Sequence, residues 1–186
     1  MALSRENWIQ AALLAIAENG TKGVAVEPLA TRLGTTKGSF YWHFSNREAL
    51  LTATLEHWER EMTDALIEQL GTLGDPVERL RKLLVVAMDD EDPVRPVDLA
   101  LVSAGSDPVV RPYLDRVQQK RLTFLERCFR EMKLTPTQSR HRARLAYGAY
   151  LGWFELTRSQ SGAPPSRRDL IGYQRTVIDL LTRPDH

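Results

Sequence analysis

The sequence predicts an all-α protein. Apolar residues recur every three or four positions along nearly the whole 186-residue chain, which is the period of an amphipathic helix. No stretch alternates apolar and polar residues as a strand does, and no internal repeat is visible. A turn at Gly34 between two short helical patterns predicts an N-terminal three-helix domain with a helix-turn-helix, followed by a larger C-terminal helical domain.

The first two helices have clear start and stop signals. Ser4 is a suitable N-cap for a helix that runs to about Asn19, where the pair Asn19-Gly20 ends it. A connector follows, and Pro28 suits the first turn of the second helix. The apolar edge of this second helix consists of Leu29, Ala30 and Leu33.

The third helix follows Gly34, a position where a residue that tolerates positive φ is needed to end the second. Either Thr35 or Thr36 would cap it. Phe40 and Phe44 lie four apart and predict one buried edge. A crest of polar and aromatic side chains opposite a buried edge is typical of a helix that reads DNA. This crest comprises Lys37, Ser39, Tyr41, Trp42 and His43, with Gly38 at its exposed start.

These residues resemble the signature of the TetR family of transcriptional regulators, in the branch that includes repressors of multidrug-efflux genes. The run Leu33–Phe44 carries the resemblance together with the next six residues, and it covers roughly residues 4–50. Ala25 and Val26 stand where the family often has a threonine or serine cap, and Glu27 adds a negative charge. The alternative is a helix-turn-helix that serves only as a packing corner.

The resemblance implies a DNA-binding domain over residues 1–50 and a sensor and dimerisation domain over residues 51–186. It implies contacts with phosphates and bases, with Gly38 allowing close approach, for Thr36, Lys37, Ser39, Tyr41 and His43. It also implies that Arg47 holds a phosphate. Trp42 would either contact DNA or pack against the first helix. The last two helices would pair with their copies in a four-helix bundle, which makes the protein a homodimer.

A long helix follows the helix-turn-helix. Ser45 and Glu48 have the spacing of a capping box, in which each side chain bonds the other's backbone N–H. The helix would run for about 22 residues, or roughly 33 Å. Its apolar positions predict one continuous stripe, made up of Leu51, Leu55, Trp58, Met62, Ala65, Leu66 and Leu70.

Five more helices complete the predicted fold. They begin near Pro76, Asp98, Asp107, Thr137 and Ser166. The helix from Thr137 to Ser159 is apolar on nearly two sides, and such a helix has to be covered on two sides. Gly148 and Gly152 would let another backbone come close to it.

Composition is compatible with a small cytoplasmic regulator. The net charge is +1, from 25 basic and 24 acidic residues, so any attraction to DNA has to come from a local patch. The single cysteine, Cys128, excludes an intramolecular disulfide. No signal peptide is visible, and no segment reaches the ~18 apolar residues of a membrane span, so no membrane partner is expected.

A ligand-responsive repressor also needs a sensor pocket. The resemblance implies a pocket between the long helices for a small apolar or aromatic effector, which would release the protein from its operator DNA. Residues of this kind at helical spacing are often plain core. The candidates for the pocket wall are Trp58, Met62, Met88, Phe124, Cys128, Tyr147 and Trp153.

Signals for catalysis or metal binding are weak. The four histidines lack the paired spacing of a zinc site, and the acidic run 89–92 reads as a solvated loop. No Gly-x-Ser-x-Gly elbow or phosphate-binding glycine loop is present, so neither an enzyme nor a cofactor is predicted. The alternative function is a helical small-molecule-binding or catalytic protein in which the helix-turn-helix is incidental.

Overall fold

The computed structural model describes residues 3–89, 96–159 and 165–183, without the side chains of residues 158 and 159. Within these ranges all regular secondary structure is helical, which confirms the predicted fold class. The α-helices are α1 (Arg5–Asn19), α2 (Val26–Arg32), α3 (Lys37–Tyr41), α4 (Arg47–Glu59), α5 (Ala65–Gly71), α6 (Pro76–Ala87), α7 (Val97–Ser103), α8 (Arg111–Glu131), α9 (Pro136–Ser159) and α10 (Arg167–Thr182). No helix in the described ranges is both long and apolar enough to cross a membrane.

The chain divides into two compact units. The first consists of Met1–Asp64 and Pro93–Val117, and the second of Ala65–Asp92 and Gln118–His186. These units do not test the predicted boundary at residue 50 between a DNA-binding domain and a sensor and dimerisation domain. That boundary stays a prediction.

The first unit is built on the apolar face of α1. Trp8 and Ile16 in α1 are fully buried, together with Leu55 in α4 and Leu101 in α7. The predicted cap of α1 is confirmed, because the Ser4 side chain accepts a hydrogen bond from the Asn7 N–H while the Asn7 side chain accepts one from the Ser4 N–H. This unit therefore holds the three N-terminal helices against α4 and α7.

The predicted start of α4 is wrong in its capping residue. Asn46, rather than Ser45, is the N-cap, and its side chain accepts a hydrogen bond of 2.8 Å from the Ala49 N–H. Ser45 and Asn46 are both good capping residues, so the sequence alone did not separate them. The helix consequently begins at Arg47, one residue later than a cap at Ser45 would give.

The predicted continuous stripe of the long helix is interrupted. Residues Arg60–Asp64 form a π-helical segment between α4 and α5. A π turn contains more residues than an α turn and therefore shifts the positions after it around the helix axis. Thr63 is buried as a result, whereas Ala65, which was predicted to lie on the stripe, is exposed.

The second unit has a core of its own between α6, α8, α9 and α10. Met88, Cys128, Phe129 and Ala143 are fully buried in it. Arg79 donates to the carboxylate of Glu131 at 2.5 Å. This ion pair joins α6 to the C-terminal end of α8.

One predicted boundary in the C-terminal half needs adjustment and another is confirmed. α8 begins at Arg111, because Asp107 first forms a turn in which its carboxylate accepts from the Val109 N–H at 2.8 Å. The predicted start of α10 near Ser166 is confirmed, because Ser166 is its N-cap and forms a capping box with Asp169. The acidic run 89–92 lies outside the described residues except for Asp89.

Candidate nucleic-acid interface

The turn between α2 and α3 has the geometry that the sequence predicted. Gly34 has a φ of 63°, so it adopts the left-handed conformation that favours glycine. Its N–H donates to the Thr31 carbonyl at 3.1 Å, and the Thr35 N–H donates to the Ala30 carbonyl at 2.9 Å. Thr36, one of the two predicted candidates, caps α3 by accepting a hydrogen bond from the Ser39 N–H. The two helices are thus joined by a tight, hydrogen-bonded turn.

The buried edge of α3 is confirmed. Phe40 is 0% exposed and Phe44 is 4% exposed. The Phe40 ring stacks on that of Phe44 at 5.7 Å and meets the Trp8 ring edge-on at 5.3 Å. These rings fix the rotation of α3 about its axis and therefore decide which residues face outward.

The outward face of α3 and the turn after it form what we call the recognition surface. It comprises Thr36, Lys37, Gly38, Ser39, Tyr41, Trp42 and His43. Tyr41 is 55% exposed and Trp42 is 88% exposed. Of the two alternatives for Trp42, packing against α1 is therefore excluded in this structure, since Trp8 supplies the ring that packs against α3.

An open cleft of about 710 Å³ runs along the recognition surface. It is lined by Leu3, Leu33, Gly34, Thr35, Thr36, Gly38, Ser39, Trp42 and His43. Five predicted DNA-binding residues therefore share one concave surface with the turn that precedes them. A Cβ added at Gly38 would have only the Thr36 hydroxyl within 4 Å, at 3.6 Å, so the backbone there is open to a ligand.

Basic side chains near this surface already have partners in the protein. Lys37 Nζ lies 3.0 Å from a carboxylate oxygen of Glu27, which is on α2. This hydrogen bond, followed by the charge of the same carboxylate, raises the pKa of Lys37 above its usual value. Arg32 pairs in the same way with Glu18 on α1. Sequence reasoning noticed the charge of Glu27 but missed its pairing with Lys37, because the two are ten positions apart in different helices.

Arg47 has a structural role in this conformation. Its Nε donates to the Val24 carbonyl at 2.6 Å, and its Nη2 donates to the Thr21 carbonyl at 2.6 Å. These bonds tie the first turn of α4 to the loop after α1. Phosphate binding by Arg47 stays a prediction, and it would require this guanidinium to share or exchange its partners.

The predicted pocket-wall residues lie in two different cores. Trp58 and Met62 belong to the first unit, where the indole N–H of Trp58 donates to the buried carboxylate of Asp98 at 2.7 Å. The other five belong to the second unit: Met88, Phe124, Cys128, Tyr147 and Trp153. Burial raises the pKa of the Cys128 thiol, which makes it a poor nucleophile.

The second unit also contains an aromatic cluster on α9 and α10. The Trp153 ring lies 4.8 Å from the Tyr173 ring, and the Tyr147 ring stacks on Tyr150 at 6.1 Å. Tyr147 and Trp153 are half-buried rather than fully buried. Across the described residues, no group of three or more His, Cys, Asp or Glu side chains is arranged to hold a metal ion.

Comparison with known proteins points to DNA-binding regulators. The model of bacterial regulatory proteins of the tetR family matches residues 9–54, which contain the helix-turn-helix. The HTH-type transcriptional regulator BetI of Burkholderia lata is 26% identical to this chain over 98% of its residues and 96% of the relative's.

Two solved structures share the fold over almost the whole chain. A TetR-family regulator from Agrobacterium tumefaciens has a TM-score of 0.77 at 19% identity, with 96% of this chain and 97% of that chain covered. AibR in complex with isovaleryl coenzyme A and operator DNA has a TM-score of 0.73 at 20% identity, with 97% and 99% covered.

Proposed function

The chain belongs to the TetR family of bacterial regulatory proteins, and from that premise we propose that it is a homodimeric repressor released from operator DNA by a small effector. The recognition surface would enter the major groove, and the second unit would bind the effector and a second copy of the chain. The observation that carries this proposal is the exposure of Tyr41 and Trp42 beside a fully buried Phe40. A helix with one edge anchored in the core and the other uncovered is suited to insertion into a groove.

Binding to duplex DNA is the first test. We would titrate a fluorescein-labelled duplex of random sequence with the purified protein at about 50 mM salt and follow anisotropy. Proteins that neutralise several phosphates lose affinity steeply as salt rises, so we expect a strong fall in affinity between about 50 and 200 mM. Affinity that did not change with salt would contradict DNA binding through this surface.

The exposed face of α9 supports the proposal of a homodimer. Leu145 is 65% exposed and Leu156 is 64% exposed, and these two lie on the same side of the helix. Gly148 and Gly152 lie between them, and a Cβ at either would have nothing within 4 Å. No described residue of this chain therefore makes the close backbone approach that was predicted at these glycines. We propose that a second copy of the chain makes it. On α10, Ile171 and Leu180 are also exposed, and their spacing of nine places them on opposite sides of that helix.

Sedimentation velocity tests the dimer with a matched pair of variants. Leu145→Glu places a charge on the proposed interface, and we expect a folded monomer because the side chain is exposed. Val85→Glu places the same charge at a 58% exposed position on α6 and should leave the dimer intact. A monomer for the unmodified chain at micromolar concentration would contradict the proposal.

Among the candidates in the second unit, we propose that the effector binds beside Tyr147 and Trp153, because these two are half-buried whereas Met88 and Cys128 are fully buried. A ligand can reach half-buried rings without displacing a closed core. Isovaleryl coenzyme A, which is bound in the similar AibR structure, is a reasonable first compound to test. We expect the effector to release the labelled duplex from the unmodified protein but not from Trp153→Ala. Equal release from both proteins would contradict an effector site beside Trp153.

A further inference from the structure

Carboxylates of the N-terminal helices pair with basic side chains that could otherwise bind DNA phosphates. Residues 3–50 contain five basic residues and four acidic ones, which is a weak positive balance for a DNA-binding surface. Lys37 lies within hydrogen-bond distance of Glu27, and Arg32 is paired with Glu18. The cation at the start of the recognition surface is therefore partly neutralised before any DNA arrives.

We propose that Glu27 competes with the DNA backbone for Lys37, so that binding exchanges the Glu27 carboxylate for a phosphate at the same ammonium group. This inference rests on the proposed function, since it requires that the recognition surface meets DNA. Glu27 thereby sets the affinity of the repressor without contacting a base.

The geometry supports exchange rather than sharing. The carboxylate lies 3.0 Å from Nζ, and both side chains are largely exposed, at 76% for Glu27 and 54% for Lys37. A phosphate that bound the same ammonium would come within several ångströms of the carboxylate, and two negative charges at that separation repel each other. The carboxylate therefore has to leave Lys37 when a phosphate binds, and the cost of this exchange lowers the affinity for DNA.

The expected size of the effect follows from exposed ion pairs in general. Removing the competing charge should tighten binding by about 1.4- to 5-fold per protomer, and therefore by about 2- to 25-fold for a dimer. The gain should be largest near 50 mM salt and smaller near 200 mM, because salt screens the competing pair.

The experiment compares variants on one random-sequence fluorescein-labelled duplex by anisotropy. Glu27→Gln removes the charge and keeps the shape, and we expect tighter binding. Glu27→Asp keeps the charge but shortens the side chain, so we expect a smaller gain. Glu48→Gln is the matched control, because it removes an exposed carboxylate of the same region that has no described contact with Lys37, and it should tighten binding less than Glu27→Gln does. Thermal melting of each variant checks that it remains folded.

The double variant Glu27→Gln with Lys37→Ala shows whether the effect passes through Lys37. If it does, adding Glu27→Gln to Lys37→Ala should gain little. An equal gain in both backgrounds, weaker binding by Glu27→Gln, or no change would each overturn the inference while leaving DNA binding intact. Failure of the unmodified protein to bind the duplex would overturn the proposed function as well.

Discussion

Phe40 and Tyr41 are adjacent in α3 but should respond to alanine in opposite ways. Phe40 is 0% exposed and contacts the rings of Trp8 and Phe44, whereas Tyr41 is 55% exposed. Replacing a buried phenylalanine with alanine costs about 3–5 kcal/mol in lost burial and cavity formation. For a chain of this length each kcal/mol lowers the melting temperature by about 2–4 °C, so Phe40→Ala should lower it by roughly 6–20 °C. Tyr41→Ala should lower it by less than about 4 °C, since exposed substitutions usually change stability by about 0.5 kcal/mol or less and this ring is only partly packed.

Circular dichroism at 222 nm would give both melting temperatures, and the labelled-duplex titration would give both affinities. We expect Phe40→Ala to bind the random duplex poorly because the N-terminal helices lose their packing, and Tyr41→Ala to remain folded and to bind it nearly as well as the unmodified protein. A Phe40→Ala protein that melted within about 4 °C of the unmodified one would refute the assignment of this ring to the core.

Four further outcomes follow from the structure. Lys37→Ala should weaken binding to operator and random DNA alike, with the slope of log affinity against log salt reduced by about one per protomer. Tyr41→Ala should instead erode the preference for operator over random DNA, by about 1–3 kcal/mol per half-site if the side chain reads a base; equal losses on both duplexes would make it a backbone contact. Arg47→Met keeps the aliphatic stem but removes two hydrogen bonds to carbonyls, so the free energy of unfolding measured in urea should fall by about 1–3 kcal/mol. Because burial raises the pKa of the Cys128 thiol, native protein at pH 8 should react slowly with Ellman's reagent and denatured protein quickly; fast native reaction would contradict its burial.

The parts of the fold that the sequence predicted correctly depend on local signals. Ser4 caps α1 through a residue three positions on, and Gly34 ends α2 by a conformation that its own lack of a side chain permits. The spacing of four between Phe40 and Phe44 predicts the buried edge of α3. Each of these features is decided within one turn of the chain.

The parts that the sequence missed depend on tertiary contacts or on near-equal local choices. The Lys37–Glu27 pair and the bonds of Arg47 to the loop after α1 join residues from different helices. Asn46 and Ser45 are similarly good caps, so the local sequence does not decide which of them caps α4. The π-helical turn after α4 has no recognisable local pattern, because it inserts positions without changing the residue types around it.

The exposure of Trp42 gives the protein an optical label of its own. Two other tryptophans, Trp8 and Trp58, are 0% and 1% exposed, and Trp153 is half-buried. A neutral quencher such as acrylamide should therefore extinguish mainly the emission of Trp42, which comes from the recognition surface itself. Any duplex that covers this ring would shield it from the quencher, so occupancy of the recognition surface could be read in unlabelled protein.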